Sequence, residues 1–266
     1  MDIARKAYHK LLAWKRKERG KSALLIEGAR RVGKTYLVEK FAKTEYKSAL
    51  IIDFAKAPQE IHDLFASESD DFDTLFQALS LFYKVRLYPR ESCIVFDEVQ
   101  LCPKARQLIK YLVADGRYDY LETGSLITLR KNVENILIPS EEERLKLYPL
   151  DFEEFLQAFG DCETYPILQE FYTKKKQLGE VLHQTIMKSF RKYLLIGGMP
   201  QVVNDFSENH NFESADALKR RILQLYHDDV VKFAQGYESH VFSLFDRIPG
   251  QLSQKEKKVY NFFIYK

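Results

Sequence analysis

The sequence predicts an α/β fold, a parallel sheet of about five strands covered by helices and followed by a mainly helical C-terminal part. Three observations carry that prediction. The apolar run Ala23-Leu24-Leu25-Ile26 leads into Gly28-Ala29-Arg30-Arg31-Val32-Gly33-Lys34-Thr35, which completes the pattern G-x-x-x-x-G-K-[ST]. Short apolar runs then alternate with stretches of helical spacing as far as about residue 150. From Asp151 onward only helical spacing is visible.

In chain order, Ile3, Ala7, Leu11 and Trp14 share one helical face, so residues 1–20 are expected to form a helix that packs on the domain beginning at residue 21. After the glycine loop, Tyr36, Leu37, Val38 and Phe41 continue as a helix. Ala49-Leu50-Ile51-Ile52 reads as a second buried strand, and Phe72, Leu75, Phe76, Leu79 and Phe82 read as a helix behind the acidic stretch 68–73. Cys93-Ile94-Val95-Phe96 is the third strand, a helix follows over about 104–114, and Tyr120-Leu121-Glu122-Thr123 is the fourth strand. Arg144 to Tyr148 is the candidate fifth. These elements make residues 21–150 one domain and residues 151–266 a second, helical one. Asp151-Phe152-Glu153-Glu154 has the spacing of a capping box, which gives the paired glutamates a structural task instead of acid–base chemistry. Downstream, Ile186, Phe190 and Leu194 lie on one helix face, and Leu218, Ile222, Leu225 and Tyr226 on another.

Composition sets the outer bounds. The chain has 266 residues, 45% hydrophobic and 14% aromatic, enough for a substantial core. Lys+Arg 41 against Asp+Glu 38 leaves a net charge of +3, too balanced to argue for nucleic acid, and the basic runs at 15–17, 174–176 and 219–221 read as solvated helix faces. Three cysteines, Cys93, Cys102 and Cys162, without a C-x-x-C pair fit a reducing compartment. With no export signal and no long uncharged apolar run, a cytoplasmic location is expected and no membrane partner.

The loop carries the first chemistry. Gly28 and Gly33 let the backbone wrap with its N–H groups inward, the following helix points its dipole at an anion, Lys34 reaches terminal phosphates, and the Thr35 hydroxyl is a ligand for Mg²⁺. Ala29, Arg30, Arg31, Val32 and Tyr36 complete the expected nucleotide contacts. The second signal is Asp97-Glu98 at the end of the third strand. Asp97 is expected to hold the metal with Thr35, and Glu98 to accept a proton from water in line with the γ-phosphate. A guanine-reading Asn-Lys-x-Asp is absent, as is H-E-x-x-H, so the expected ligands are ATP and Mg²⁺.

Phe96-Asp97-Glu98-Val99-Gln100 beside the loop, Thr123-Gly124-Ser125, Tyr148 to Phe155 and Tyr193 to Pro200 together resemble an AAA+-type ATPase of the large additional-strand group. Within that group the chain is similar to a prokaryotic family that pairs an AAA ATPase domain with a C-terminal domain of unknown function. The resemblance implies a P-loop NTPase sheet in strand order 5-1-4-3-2. It also implies a γ-phosphate sensor at Ser125, with Thr123 second, and an adenine contact at Pro200 of Gly197-Gly198-Met199-Pro200. The plainer readings are a strand end that caps a helix and a glycine stop followed by proline. Arg30, Arg31, Arg130, Arg144, Arg191 and Arg247 are all open as an arginine finger. Family members are usually longer, so a short or truncated C-terminal part is expected.

The function expected is Mg-dependent ATP hydrolysis coupled to conformational change in an unknown partner. The alternatives are a slow-hydrolysing switch of the signal-transducing type, favoured by Gly197 to Pro200, and the ATPase module of a nucleic-acid-acting protein. For the latter only Asp246 with Glu256-x-Lys258 faintly suggests a nuclease. A homo-oligomer, and a protein or nucleic-acid partner, are left open.

Overall fold

A computed structural model describes residues 3–67, 71–125, 141–234 and 236–253. Helix α1 (Lys6–Glu18) buries Ala7, Leu11 and Trp14 at the expected spacing, and the Trp14 indole N–H donates to Ser22 Oγ at 3.2 Å. Strand β1 (Ala23–Gly28) is buried along its whole length and runs into the glycine loop. Helix α2 (Lys34–Glu45) follows, then β2 (Ser48–Asp53), α3 (Gln59–Ser67) and α4 (Phe72–Tyr83). The Asp71 side chain accepts the backbone N–H groups of Asp73 and Thr74 and so starts α4. Strand β3 (Ser92–Asp97), a single 3₁₀ turn (Val99–Leu101), α5 (Pro103–Asp115), β4 (Asp119–Ser125) and β5 (Glu142–Lys146) complete the sheet layer. Proline opens α5, where its missing N–H costs nothing, and Gly116 at φ 74° ends it.

The five strands are all parallel and lie in the order β2-β3-β4-β1-β5, the expected 5-1-4-3-2 read from the other edge. Alternate residues of each strand feed two cores. Leu25, Leu50, Ile52, Ile94, Phe96 and Tyr120 face α3, α4 and α5. Leu24, Ile26, Cys93, Val95 and Leu121 face α1 and α2. Both faces are covered, which is why the strands read as continuous apolar runs.

Two elements differ from the expectation. Helix α3 was not visible because only Ile61 and Phe65 are buried on it; it is fixed by Phe65 packing edge-on against Phe54 and Phe96. Strand β5 begins two residues earlier than the apolar pattern suggested, because its inner contact is ionic. Arg106 of α5, 2% exposed, donates to both oxygens of Glu142, whose side chain is fully buried.

Beside that pair stands Glu122 of β4, fully buried, with neither carboxyl oxygen hydrogen-bonded among the described residues. Burial pushes its pKa well up, the Glu142 carboxylate adds to the rise, and Arg106 and Arg144 oppose it. A carboxyl raised in the fold must take up a proton on folding above its ordinary range, so its cost to stability grows as pH rises. Glu122→Met is therefore expected to stabilise the protein by roughly 1–3 kcal/mol at pH 8 and by less at pH 5. Thermal melts of both proteins at the two pH values check this, and an equal or smaller gain at pH 8 refutes it.

Every element described after Lys146 is helical: α6 (Phe152–Ala158), α7 (Thr164–Thr173), α8 (Glu180–Ile196), α9 (Pro200–Asn209), α10 (Phe212–Phe233) and α11 (Glu238–Ser253). The capping box at the start of α6 is formed, Asp151 accepting from the Glu154 N–H and Glu154 from the Asp151 N–H. By contact density the chain divides into two compact units, 1–216 and 217–266. No described helix is long and apolar enough to cross a membrane.

Candidate functional site

The site is built where β1, β3 and β4 end side by side. At the end of β1, a Cβ on Gly28 would stand 2.4 Å from the Leu147 carbonyl, so no larger residue fits there. Val32 is fully buried and pins the middle of the loop, whereas Ala29, Arg30 and Arg31 are exposed. Gly33 has φ 91°, a conformation glycine adopts without strain, and hands the chain to α2. Leu37, Val38 and Phe41 bury the inner face of α2, so the helix N-terminus is held rigidly at the strand ends. Tyr36 is on the exposed side, 53% accessible.

Lys34 is buried, and its ammonium donates to the carbonyls of Gly28 and Ala29, both at 3.0 Å. Burial lowers its pKa, while the charges of Glu98 and Asp97 pull it back up. Thr35 Oγ1 donates to Asp97, 3.0 Å from each carboxylate oxygen, which joins the two motifs across 62 positions of sequence. Asp97 is 3% exposed, and Thr123 Oγ1 also donates to it. Burial raises the Asp97 pKa, the two threonine hydroxyls lower it, and the nearby Glu98 and Asp53 charges raise it. A buried carboxylate that accepts from two hydroxyls beside an acidic neighbour is a place where a small divalent cation is electrostatically favoured.

Glu98 sits just past β3 in the left-handed region, φ 53°, which turns its side chain out of the strand direction. Its backbone N–H donates to Thr123 Oγ1 at 3.2 Å, and its carboxylate accepts from the Gln100 amide. Thr123 thus bridges Asp97 and Glu98. Ser125 is two residues further along β4, paired in register with Gly28, and buried. Among the residues weighed from sequence, Thr123 makes the direct contacts to the two acids. Pro200, first residue of α9, lies beside the loop: a Cβ on Gly33 would be 3.7 Å from its ring. The Gly197-Gly198 step has a packing reason, since a Cβ on Gly198 would meet the Leu150 carbonyl at 2.1 Å.

Of the open arginines, Arg144 is engaged with Glu142 at 2.9 Å and Arg130 lies outside the described residues. Asp246 is described, but Glu256 and Lys258 are not. Among the described residues no three His, Cys, Asp or Glu side chains are grouped to hold a metal by themselves. The oxygen pair Thr35 and Asp97 suits Mg²⁺, which keeps most of its waters and shares its shell with phosphate.

Sequence reasoning missed Arg5. Its guanidinium reaches the Val32 carbonyl of the loop at 3.0 Å, the Tyr148 carbonyl at 2.6 Å and Glu154 at 3.2 Å. Nothing in its local pattern marks it, because a single arginine at a helix start is ordinary.

A family model described as an AAA domain matches residues 20–156, and another, described as a domain of unknown function (DUF8612), matches residues 187–260. An uncharacterized protein of Methanocaldococcus jannaschii is 22% identical over 195 residues, 70% of this chain and 39% of its own length. An uncharacterized protein of Haemophilus influenzae is 22% identical over 209 residues, 76% of this chain and 50% of its own length. The chain thus spans half or less of these relatives. Among solved structures, the Walker-type ATPase of Pyrococcus abyssi is similar with TM-score 0.49 and 17% identity, over 94% of this chain and 78% of its own. AMPPCP-bound DnaA from Aquifex aeolicus follows with TM-score 0.46 and 11% identity, over 87% and 68%.

Proposed function

The chain belongs to the AAA domain family, and from that membership we propose that it binds ATP with Mg²⁺ and hydrolyses it. The observation that carries the proposal is the meeting of Thr35, Asp97, Thr123 and Glu98 at the mouth of the glycine loop. In this reading the loop N–H groups and Lys34 take the β and γ phosphates. Thr35 and Asp97 would hold Mg²⁺, which would supply charge neutralisation at the phosphate oxygens. Glu98 is the group that accepts the proton of the attacking water, and Thr123 orients it through its backbone N–H. Ser125 is proposed as γ-phosphate sensor alongside Thr123, and Pro200 as the adenine contact.

The arrangement around Glu98 supports this reading of it as the base. Glu98 is turned out of the strand, and Gln100 fixes one carboxylate oxygen while leaving the other as acceptor. Lys34 beside it counters the accumulated negative charge of Asp97 and Glu98. A P-loop kinase is less well supported, since a base adjacent to the metal carboxylate favours water over a second bound substrate.

The slow-switch alternative keeps one observation in its favour, the seat of Pro200 beside Gly33. Turnover separates the two. Wild-type protein is expected to release phosphate from ATP in Mg²⁺ and to fall to background in EDTA. Saturable ATP binding with no Mg-dependent release selects the switch, and absence of binding overturns both. The same assay with added DNA or RNA tests the nucleic-acid alternative, where stimulation supports it and an unchanged rate counts against it. We place the protein in the cytoplasm, consistent with Cys93, Cys102 and Cys162 all being free thiols. Assembly into a homo-oligomer belongs to the proposal as the usual route by which a partner copy supplies an arginine.

A further inference from the structure

Arg5 ties the glycine loop to the segment leading into α6. Its side chain is 8% exposed and that of Glu154 6%, so the ion pair is a buried one. Burial of such a pair is tolerated when every polar atom is satisfied, and here the carboxylate of Glu154 is. It accepts from Arg5 Nε at 3.2 Å, from the Lys6 backbone N–H at 2.7 Å and from the Asp151 N–H at 3.2 Å. The two remaining arms of the guanidinium are aimed at backbone carbonyls, Val32 within the loop and Tyr148 beyond β5.

The Val32 contact bears on ligand binding. A loop that presents its N–H groups to an anion must turn its carbonyls outward, and an outward carbonyl needs a donor of its own. Val32 precedes Gly33 and Lys34, the residues that open α2, so the orientation of its peptide sets the direction of the N–H groups that follow. Arg5 supplies the donor from outside the loop. The same group borders Gly33, where a Cβ would be 3.8 Å from Arg5 Nη1 and 3.7 Å from Pro200. Further along, the Leu150 N–H donates to the Gly198 carbonyl at 2.6 Å and the Tyr193 hydroxyl to the Leu150 carbonyl at 2.9 Å. A closed circuit therefore runs from Val32 through Arg5 to Tyr148 and Leu150, then through Gly198 to Pro200 and back to Gly33.

We propose that Arg5 is a positioning residue for the nucleotide: by holding the Val32 carbonyl outward and anchoring it to Tyr148 and Glu154, it keeps the glycine loop in its phosphate-binding shape. The proposal rests on the reading of that loop as an ATP site. Lysine cannot replace the guanidinium, because one ammonium on a flexible stem does not span three acceptors in fixed directions. Glu154→Gln is different, since the amide oxygen still accepts from Arg5 and Lys6.

The test measures the affinity of a fluorescent methylanthraniloyl-ATP with Mg²⁺, phosphate release at saturating ATP, and the melting temperature without nucleotide. Wild type, Arg5→Ala, Arg5→Lys, Glu154→Gln and Lys34→Ala are compared. Both Arg5 variants are expected to bind about tenfold more weakly, as the loss of charge-assisted hydrogen bonds implies. The rate at saturating ATP is expected to stay within about threefold of wild type, because the loop is still assembled once filled. Glu154→Gln is expected to keep its affinity within about threefold, even where its melting temperature falls. Wild-type affinity in a folded Arg5→Lys or Arg5→Ala overturns the proposal alone. So does a Glu154→Gln affinity loss equal to that of Arg5→Ala, which would make the effect one of junction stability. A wild type that does not bind, or a Lys34→Ala that binds as wild type does, overturns the ATP reading and this proposal with it.

Discussion

Glu98→Gln is expected to bind ATP as wild type does and to release phosphate at least about 100-fold more slowly, the usual worth of a positioned general base. The backbone sets the two acids apart. At φ 53° Glu98 leaves the line of β3, while Asp97 before it stays in the strand and points at Thr35. Two adjacent acids thereby take different directions and different partners. Asp97 is buried among hydroxyls, and Glu98 accepts from the Gln100 amide and donates its N–H to Thr123. Glutamine has the same length and can still hydrogen-bond, but it cannot take a proton. Loss of rate with retained affinity therefore isolates proton transfer from binding. Steady-state phosphate release and a fluorescence titration with ATP are the measurements. A Glu98→Gln rate within a few-fold of wild type would show that Glu98 is not the base, and a parallel loss of affinity would show that it acts in binding.

The parts of the fold that were legible in the sequence are those where one physical rule governs the residue. Strands β1, β2 and β3 are covered on both sides, so they appear as uninterrupted apolar runs, and the glycine loop demands residues that few other structures require. The parts that were not legible depend on partners far away in the chain. Helix α3 carries only two buried apolar residues and owes its place to Phe54 and Phe96. Strand β5 is registered by Arg106 and Glu142, charges that a hydropathy reading assigns to the surface. At the site, spacing could bring Lys34, Thr35, Asp97 and Glu98 together, because each is tied to the end of a strand or the start of a helix. The resemblance places Ser125 ahead of Thr123 as the γ-phosphate sensor, whereas Thr123 is the one whose hydroxyl reaches Asp97 among the described residues. They project from the same face of one strand, and only the three-dimensional reach of Asp97 distinguishes them. Arg5 is the extreme case: its three acceptors lie 27, 143 and 149 positions away, which no local pattern encodes.

Lys34→Ala is expected to lower ATP affinity by about 100-fold or more while leaving the nucleotide-free fold nearly intact. The two halves of that result have separate causes. The ammonium is buried against two neutral carbonyls, and burial lowers its pKa although the Glu98 and Asp97 charges pull it back up. Its removal therefore takes away an unfavourable desolvation along with two hydrogen bonds, and the melting temperature should move little. With nucleotide, the carbonyls are exchanged for phosphate oxygens, charged acceptors in a site already low in water, where the same ammonium binds far more strongly. The consequence is visible in a melt. Wild type at 100 times its dissociation constant gains about 2.7 kcal/mol from ATP, and the variant at the same concentration gains only about 0.4 kcal/mol if its affinity has fallen 100-fold. A Lys34→Ala protein that melts as wild type without ATP and keeps the full ATP-induced shift would mean that phosphate is not held at this loop. A large drop in the nucleotide-free melt would instead mean that the countercharge Lys34 gives Asp97 and Glu98 is needed to hold the fold, and the expectation of a nearly intact fold would fail.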